Sequence, residues 1–265
     1  MSHPTDPADS AGAAQPPADS AGVPWEGRSF QANPHSGDGG TAAPALAAAL
    51  HAFVSGVGDQ RGVVDALRSA RLLIPLLTAR GDEGVGPNGL MVDKTQELSI
   101  VTVAAPDGRR VLPLFTEVAT MAKWDAAARP VPADGVGAAL AAAADDTDLI
   151  VLDPGSPTEF VVRRPAVWAI AQGEPWIPSW QSVDVRAALL ESIATELAVV
   201  DVELEQGDPT ARLRGPELVV RLELLGGLDQ LELDAVLARL ARRWAANDSI
   251  AVLVDSLTVK LVRSA

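Results

Sequence analysis

Cysteine and tyrosine are both absent from the 265-residue chain, and histidine occurs three times. Without cysteine there is no disulfide, no thiolate nucleophile and no thiolate-bound metal. The histidines are His3, His35 and His51. No two have the spacing of a metal-ligand pair, and no Ser-His-Asp set falls on one rigid frame, so the sequence offers no catalytic residue, metal site or cofactor site. Lysine is scarce, with Lys94, Lys123 and Lys260 against 18 arginines. Together with the abundance of Ala, Pro and Gly, this reads as the codon bias of a GC-rich bacterial genome. No apolar run approaches the ~20 residues that cross a bilayer. The N-terminus lacks a basic segment followed by an apolar one. Cytoplasmic residence and no membrane partner are the expectations.

Positive charge is also short. The net charge is −14, and acids outnumber bases in residues 1–41, 42–180 and 181–265 alike. No part can supply the phosphate-neutralising surface that nucleic acid requires, so nucleic acid is excluded as a partner. The glycine-rich stretches fail on context. GDEGVGPNG (81–89) lacks the Gly-Lys-Ser/Thr of a phosphate loop, and the GDGG of the tail precedes no strand-to-helix turn.

What is present divides the chain. Residues 1–41 carry almost no large aliphatic side chains and read as a disordered tail. Within it, Trp25 and Phe30 are chance residues, residues docked loosely on the chain's own core, or a short motif for a partner. A first domain spans 42–174. LAAALHAFV and VVDALRSA read as helices separated at Gly56–Asp59, and RLLIPLL (71–77) as a buried strand whose Pro75 suggests an edge or end position. ELSIVTVAA and RRVLPLF flank a Pro106-Asp107-Gly108 hairpin turn. Helices are expected over 117–124, 135–144 and 165–172. LIVLD (149–153) reads as a strand covered on both faces, turning through Asp153-Pro154 into EFVV. A connector, 175–182, places Trp176 and Trp180 between domains.

The second domain, 183–265, switches period. Val185, Leu189, Leu190, Ile193 and Leu197 recur at helical spacing, and then Ala198, Val200, Val202 and Leu204 alternate. Asp229 and Glu232 form a capping-box pair before the next helix. SIAVLV and LTVKLV read as two closing strands. The expected fold class is α+β (mixed α/β): an N-terminal mixed-sheet domain with flanking helices, then a smaller two-layer α-β-β-α-β-β domain with a largely antiparallel sheet.

Two places carry candidate chemistry. Asp145, Asp146 and Asp148 precede the LIVLD strand and Asp153 ends it. They read as turn residues bonding the local backbone or, alternatively, as a cation or acid/base site at a strand C-terminus. Phe115, Thr116, Trp124 and Arg129 either build structure or line a pocket for a carboxylate or an acidic group of a partner. In the structural reading, Thr116 caps a helix, Phe115 and Trp124 fill the core, and Arg129, in an Arg-Pro-Val-Pro loop, stacks on Trp124 or pairs with an acid.

The words VLPLFTEVATMAKW, ARPVP, LIVLDPGS and WAIAQGEPW resemble the N-terminal domain of the SseB family over about residues 44–180. The family takes its name from an enhanced serine-sensitivity phenotype. The name is shared with an unrelated secretion-translocon protein, which this chain does not resemble. The resemblance implies a bacterial cytoplasmic protein without established enzymatic activity, so it assigns no catalytic residues. It also implies a translation-linked partner, since similar genes neighbour translation-factor genes. Three readings are open. The first is a non-catalytic adaptor binding a protein partner. The second is a sensor of an amino acid or small carboxylate using Arg129 and Trp124. The third is an enzyme using Asp153 and a metal.

Overall fold

The computed structural model describes residues 39–78, 84–85, 91–92, 98–144, 147 and 149–264. Trp25, Phe30, most of the loop after Thr78, and Asp145, Asp146 and Asp148 lie outside the described residues.

The chain is an α+β protein. It opens with α1 (Pro44–Val54) and α2 (Gln60–Arg68), with the break where Gly56 (φ 76°) reverses the backbone. Asp59 starts α2 by accepting the Gly62 N–H at 2.8 Å. Then come β1 (Arg71–Thr78), the two-residue β2 (Gly84–Val85) and β3 (Met91–Val92), β4 (Leu98–Ile100), β5 (Val103–Ala104) and β6 (Arg110–Leu114). α3 (Val118–Trp124), β7 (Arg129–Asp134), α4 (Gly135–Ala144), β8 (Ile150–Leu152), β9 (Phe160–Val162) and α5 (Arg164–Gln172) complete this half.

Two sheets, ordered β4-β1-β7 and β5-β6-β8-β9, are joined where Leu73 and Phe115 exchange backbone hydrogen bonds at 2.8 and 2.9 Å. β6 and β8 run parallel, and the other pairs in these sheets are antiparallel. The hairpin at Asp107-Gly108 forms as expected, with Gly108 at φ 85°. β8 is buried along its length, as its unbroken apolar run predicts. Gly135 marks a close approach: a Cβ there would meet the Leu67 carbonyl oxygen at 2.1 Å, so α4 starts directly against the end of α2.

Two expectations for this half are corrected. β1 is a central strand despite Pro75. The reason is parity. Leu73 points its N–H and C=O toward Phe115, so Pro75 points the same way, into the gap before β4 pairing begins at Leu76. On the other side Pro75 faces Pro130, a position that uses no N–H from either residue. The Arg-Pro-Val-Pro segment is likewise strand β7, not a loop.

Trp176 packs into the first hydrophobic core and Trp180 against the second. After a short 3-10 turn (Ser179–Gln181) come α6 (Val183–Ile193), β10 (Val199–Gln206), β11 (Leu218–Leu224), α7 (Gln230–Ala245), α8 (Asp248–Leu253) and β12 (Leu257–Arg263). The Asp229–Glu232 capping box is present at α7. The order is therefore α-β-β-α-α-β. SIAVLV, expected as a strand, is helix α8, begun by Asn247, whose side chain accepts the Ile250 N–H at 3.1 Å. The topology explains the difference: β12 lies parallel to β11, so the connection must cross over the sheet, and helices α7 and α8 make that crossover.

The sheet, ordered β10-β11-β12, is antiparallel on one side and parallel on the other. Alternation along β10 is also interrupted. A bulge between Val199 and Asp201 buries Val199 and Val202 and exposes Val200. Leu197, expected on the helical stripe, lies past the end of α6 and is 93% exposed.

Candidate functional site

β6 and β8 are adjacent parallel strands, and the residues just beyond their C-terminal ends meet. Thr116 comes after β6 and Asp153 after β8. The Thr116 N–H donates to Asp153 Oδ1 at 2.8 Å, and its hydroxyl donates to Oδ2 at 2.7 Å. Thr116 is thus not the cap of α3: Glu117 holds the N-cap position, and the Thr116 side chain is engaged by Asp153. Asp153 is buried and sits at φ 46°, a left-handed conformation that Asp tolerates better than most residues. Burial pushes its pKa up against the pull of the Thr116 bonds.

Phe115 is fully buried with Leu73 and Met121, and Trp124 leans on it at 5.2 Å between ring centroids. Arg129 is exposed on β7 opposite Leu76. The arginine that lies over a tryptophan is Arg164, 5.1 Å from the Trp168 ring, and no such contact joins Arg129 to Trp124 among the described residues. Four of the five sequence-selected residues therefore form two linked structural contacts, and Arg129 stands apart from them. His51 is exposed on α1. Among the described residues, no group of three or more His, Asp and Glu could hold a metal ion.

A second polar centre joins the two halves, and sequence reasoning alone misses it. Arg163, between β9 and α5, is 6% exposed. Its Nη2 donates to Asp208 Oδ2 and to the Gly215 carbonyl, both at 2.7 Å. Its Nη1 donates to Asp255 Oδ2 at 2.9 Å and Ser256 Oγ at 3.1 Å. Arg109 grips the same Asp255 with two bonds of 2.8 and 3.1 Å and also bonds Asp107. Asp208 organises its own loop by accepting the Leu213 N–H at 2.9 Å, and Ala211 caps β9 by accepting the Val161 N–H at 2.7 Å. Gly207 is required here because a Cβ would meet the Pro216 carbonyl at 2.2 Å. Burial pushes the Asp255 pKa up, but Arg109 and Arg163 outweigh it and hold the carboxyl below its ordinary range. One signal is available in the sequence. Arg163-Arg164 precedes Pro165 at a helix N-terminus, where the helix dipole disfavours cations, so a tertiary partner is required.

The third feature is apolar. Leu237, Ala241 and Trp244 of α7, Ile250 of α8, and Leu257 and Val259 of β12 line an open groove of about 460 Å³. Arg164 closes one end, donating to the Ala251 and Val254 carbonyls at 3.0 and 2.9 Å. β12 pairs only with β11 among the described residues, so its other edge borders this groove unpaired.

Residues 46–169 match the family of the SseB protein N-terminal domain. Over this stretch, somewhat under half of the chain, the sequence is similar to the SseB N-terminal domain. No curated protein and no solved structure matches the chain. The SseB domain contains Thr116, Asp153, Arg109 and Arg163, whereas Asp208, Glu217 and Asp255 come from the segment after it. The buried ion cluster therefore ties the SseB domain to the C-terminal segment.

Glu217 is the cluster's least balanced member. Its Oε2 accepts the Asp255 N–H at 2.6 Å. Ser179 approaches closely enough to lower its pKa somewhat, yet neither Glu217 Oε1 nor the Ser179 hydroxyl completes a hydrogen bond. Burial dominates and pushes the carboxyl above its ordinary range. A raised folded-state pKa means that the neutral form suits the fold. The associated stability is fully present below the unfolded pKa and is lost as pH rises through the folded value. Glu217→Gln is therefore expected to stabilise the fold by about 1 kcal/mol at neutral and mildly alkaline pH, read as a higher urea midpoint. The gain should shrink as the medium is acidified. A gain that grew on acidification would reverse the assignment.

Proposed function

We propose that this chain is a non-catalytic protein-binding module of the cytoplasm, and that its recognition surface is the groove between α7, α8 and β12. The single observation behind the proposal is that open apolar concavity beside an unpaired strand edge. Exposed apolar surface of this kind marks interaction sites. The buried ionisable groups support the same reading. Arg163, Asp208 and Asp255 are directed at one another, and Asp153 at Thr116, so they hold the fold and leave recognition to apolar surface. Nothing singles out Arg129 and Trp124 for a small carboxylate, so the groove carries the proposal alone.

The test uses exposed positions on α7 that line the groove. Ala241→Glu/Ala245→Glu keeps helix propensity while placing charge in the groove. Affinity purification of the tagged full chain, in cells that also express an untagged copy, should recover a stoichiometric protein that the double variant loses. That protein is either foreign or the untagged copy. Recovery unchanged by the variant, or no stoichiometric partner at all, overturns the proposal.

A further inference from the structure

Hydrogen-bond parity determines which backbone groups β12 presents. Leu218 N–H donates to the Ser256 carbonyl, and Ser264 N–H donates to the Leu224 carbonyl. In a parallel ladder the even-numbered residues of β12 therefore face β11. The N–H and C=O groups of Leu257, Val259, Leu261 and Arg263 point out along the free edge. Opposite β12, on the helix-facing side, stand buried Leu218, Val220 and Leu222, in register with Leu257, Val259 and Leu261. Side chains and free backbone groups thus share a parity: each residue that can accept a new strand also carries its side chain on the helix-facing side, where Leu257 and Val259 line the groove. The helix layer leaves Leu261 41% exposed. A seven-residue edge of this kind, with no proline, is a template for another strand.

Charge selects among occupants and registers. Strand β12 carries Lys260 and Arg263 and no acid. Lys260 lies on the outer face, 3.5 Å from Glu205, and next to it Arg221 pairs with Glu203, so this face is charge-balanced within one copy. The sequence LTVKL is symmetric about Val259 in its apolar and polar positions. Antiparallel pairing centred there sets Leu257 against Leu261 of another copy, Val259 against Val259, and Thr258 against Lys260. No like charges oppose one another. Within LTVKL every facing pair on the helix side is apolar, and each exchanges two backbone hydrogen bonds. Centring the pair on Lys260 would set two ammonium groups face to face. Centring it on Leu261 would set Arg263 against Val259.

We infer that the occupant of this surface is a second copy of the chain, paired antiparallel along β12 with the two-fold axis at Val259. The inference rests on the reading of this face as a recognition surface. It joins two three-stranded sheets into one and places both helix layers on the same side, so the exposed Leu261 of each copy is covered by the other. Such isologous pairing closes on itself and leaves no further edge of this type.

The absence of cysteine makes the test direct. Sedimentation equilibrium of the full chain across the micromolar range should give twice the mass of one chain, falling toward one at dilution. Val259→Pro removes an N–H that β11 does not use, and it should weaken the dimer at least tenfold while circular dichroism stays unchanged. Val259→Cys should cross-link under mild oxidation, because directly paired residues lie roughly 5.5 Å apart at Cα, within disulfide reach. Leu261→Cys should not, since its own counterpart lies four residues along. Wild-type protein that stays monomeric across the range overturns the inference whatever the variants do. Cross-linking of Lys260→Cys in preference to Val259→Cys overturns the register. A monomer that still captures a foreign protein lost in Ala241→Glu/Ala245→Glu overturns the dimer while leaving the binding function standing.

Discussion

Replacing Arg163 with alanine is expected to lower stability by about 3–5 kcal/mol at neutral pH. In a thermal melt this appears as a fall of roughly 10 °C for a chain of this size. The magnitude comes from the groups left behind. Asp208 and Asp255 are both almost fully buried, and among the described residues Arg163 is the one that bonds both. Removing the cation leaves two carboxylates facing each other's field in low dielectric, together with an unbonded Gly215 carbonyl. Arg109 still reaches Asp255 but has no bond to Asp208. Lysine at the same position supplies charge without a fork, so Arg163→Lys should recover only part of the loss. The pH dependence gives a sharper check. Asp255 has a lowered folded pKa, so in the native chain its contribution is present above the unfolded value and is lost as pH falls through the folded one. Without Arg163, burial gains weight at Asp255, and the deficit of the variant should shrink on acidification. A deficit below about 1 kcal/mol, or one independent of pH, would show that the cluster is solvated and does not hold the halves together.

Asp153→Ala is the second large effect, expected at about 3 kcal/mol. The alanine leaves the buried Thr116 N–H and hydroxyl without their acceptor, at about 1–3 kcal/mol for each such group. It also places a residue poorly suited to a left-handed backbone at φ 46°. Asp153→Asn keeps an acceptor for the N–H and tolerates the backbone, so it should lose less than about 1 kcal/mol. Because burial raises the Asp153 pKa, the native carboxylate's stability falls as pH rises through its folded value. The asparagine variant should therefore compare best with the native chain at alkaline pH. Urea titrations of both variants across pH measure this directly. Equal stability of the alanine variant and the native chain would remove the strand-joining role. An asparagine variant as weak as alanine would show that the carboxylate itself, rather than an acceptor of its shape, is required.

These two sites are legible in the sequence to different degrees. Asp153 stands out because Asp-Pro-Gly-Ser comes after an apolar run, a local signal with a local meaning. Its partner cannot be read, because Thr116 lies 37 positions away, brought close only by the parallel pairing of β6 and β8. The spacing of Thr116 suggests only a local role, a helix cap. Arg163, Asp208 and Asp255 escape notice for the same reason. Asp208 precedes a proline and Asp255 precedes Ser256 in a turn, so each looks sufficiently explained by its neighbours, while the Arg163-Arg164 pair calls for a tertiary partner without naming it. The correction at SIAVLV has a different cause. Five successive apolar residues without strict period fit either state, and the decision went to the crossover that a parallel β11-β12 pair demands.

The sequence by itself determined the elements whose period is unambiguous: α1, α2, the hairpin at Gly108, the buried β8 and the capped α7. It carried the likeness of residues 46–169 to the SseB N-terminal domain as well, through words that survive as words. It also bounded the chemistry by composition, since a chain without cysteine and with three histidines has few groups to offer. Only the tertiary structure decided which charges meet, which face of β12 stays open, and where the groove lies. Those depend on strand order and on hydrogen-bond parity across elements far apart in the chain, and neither leaves a mark on the local pattern of residues.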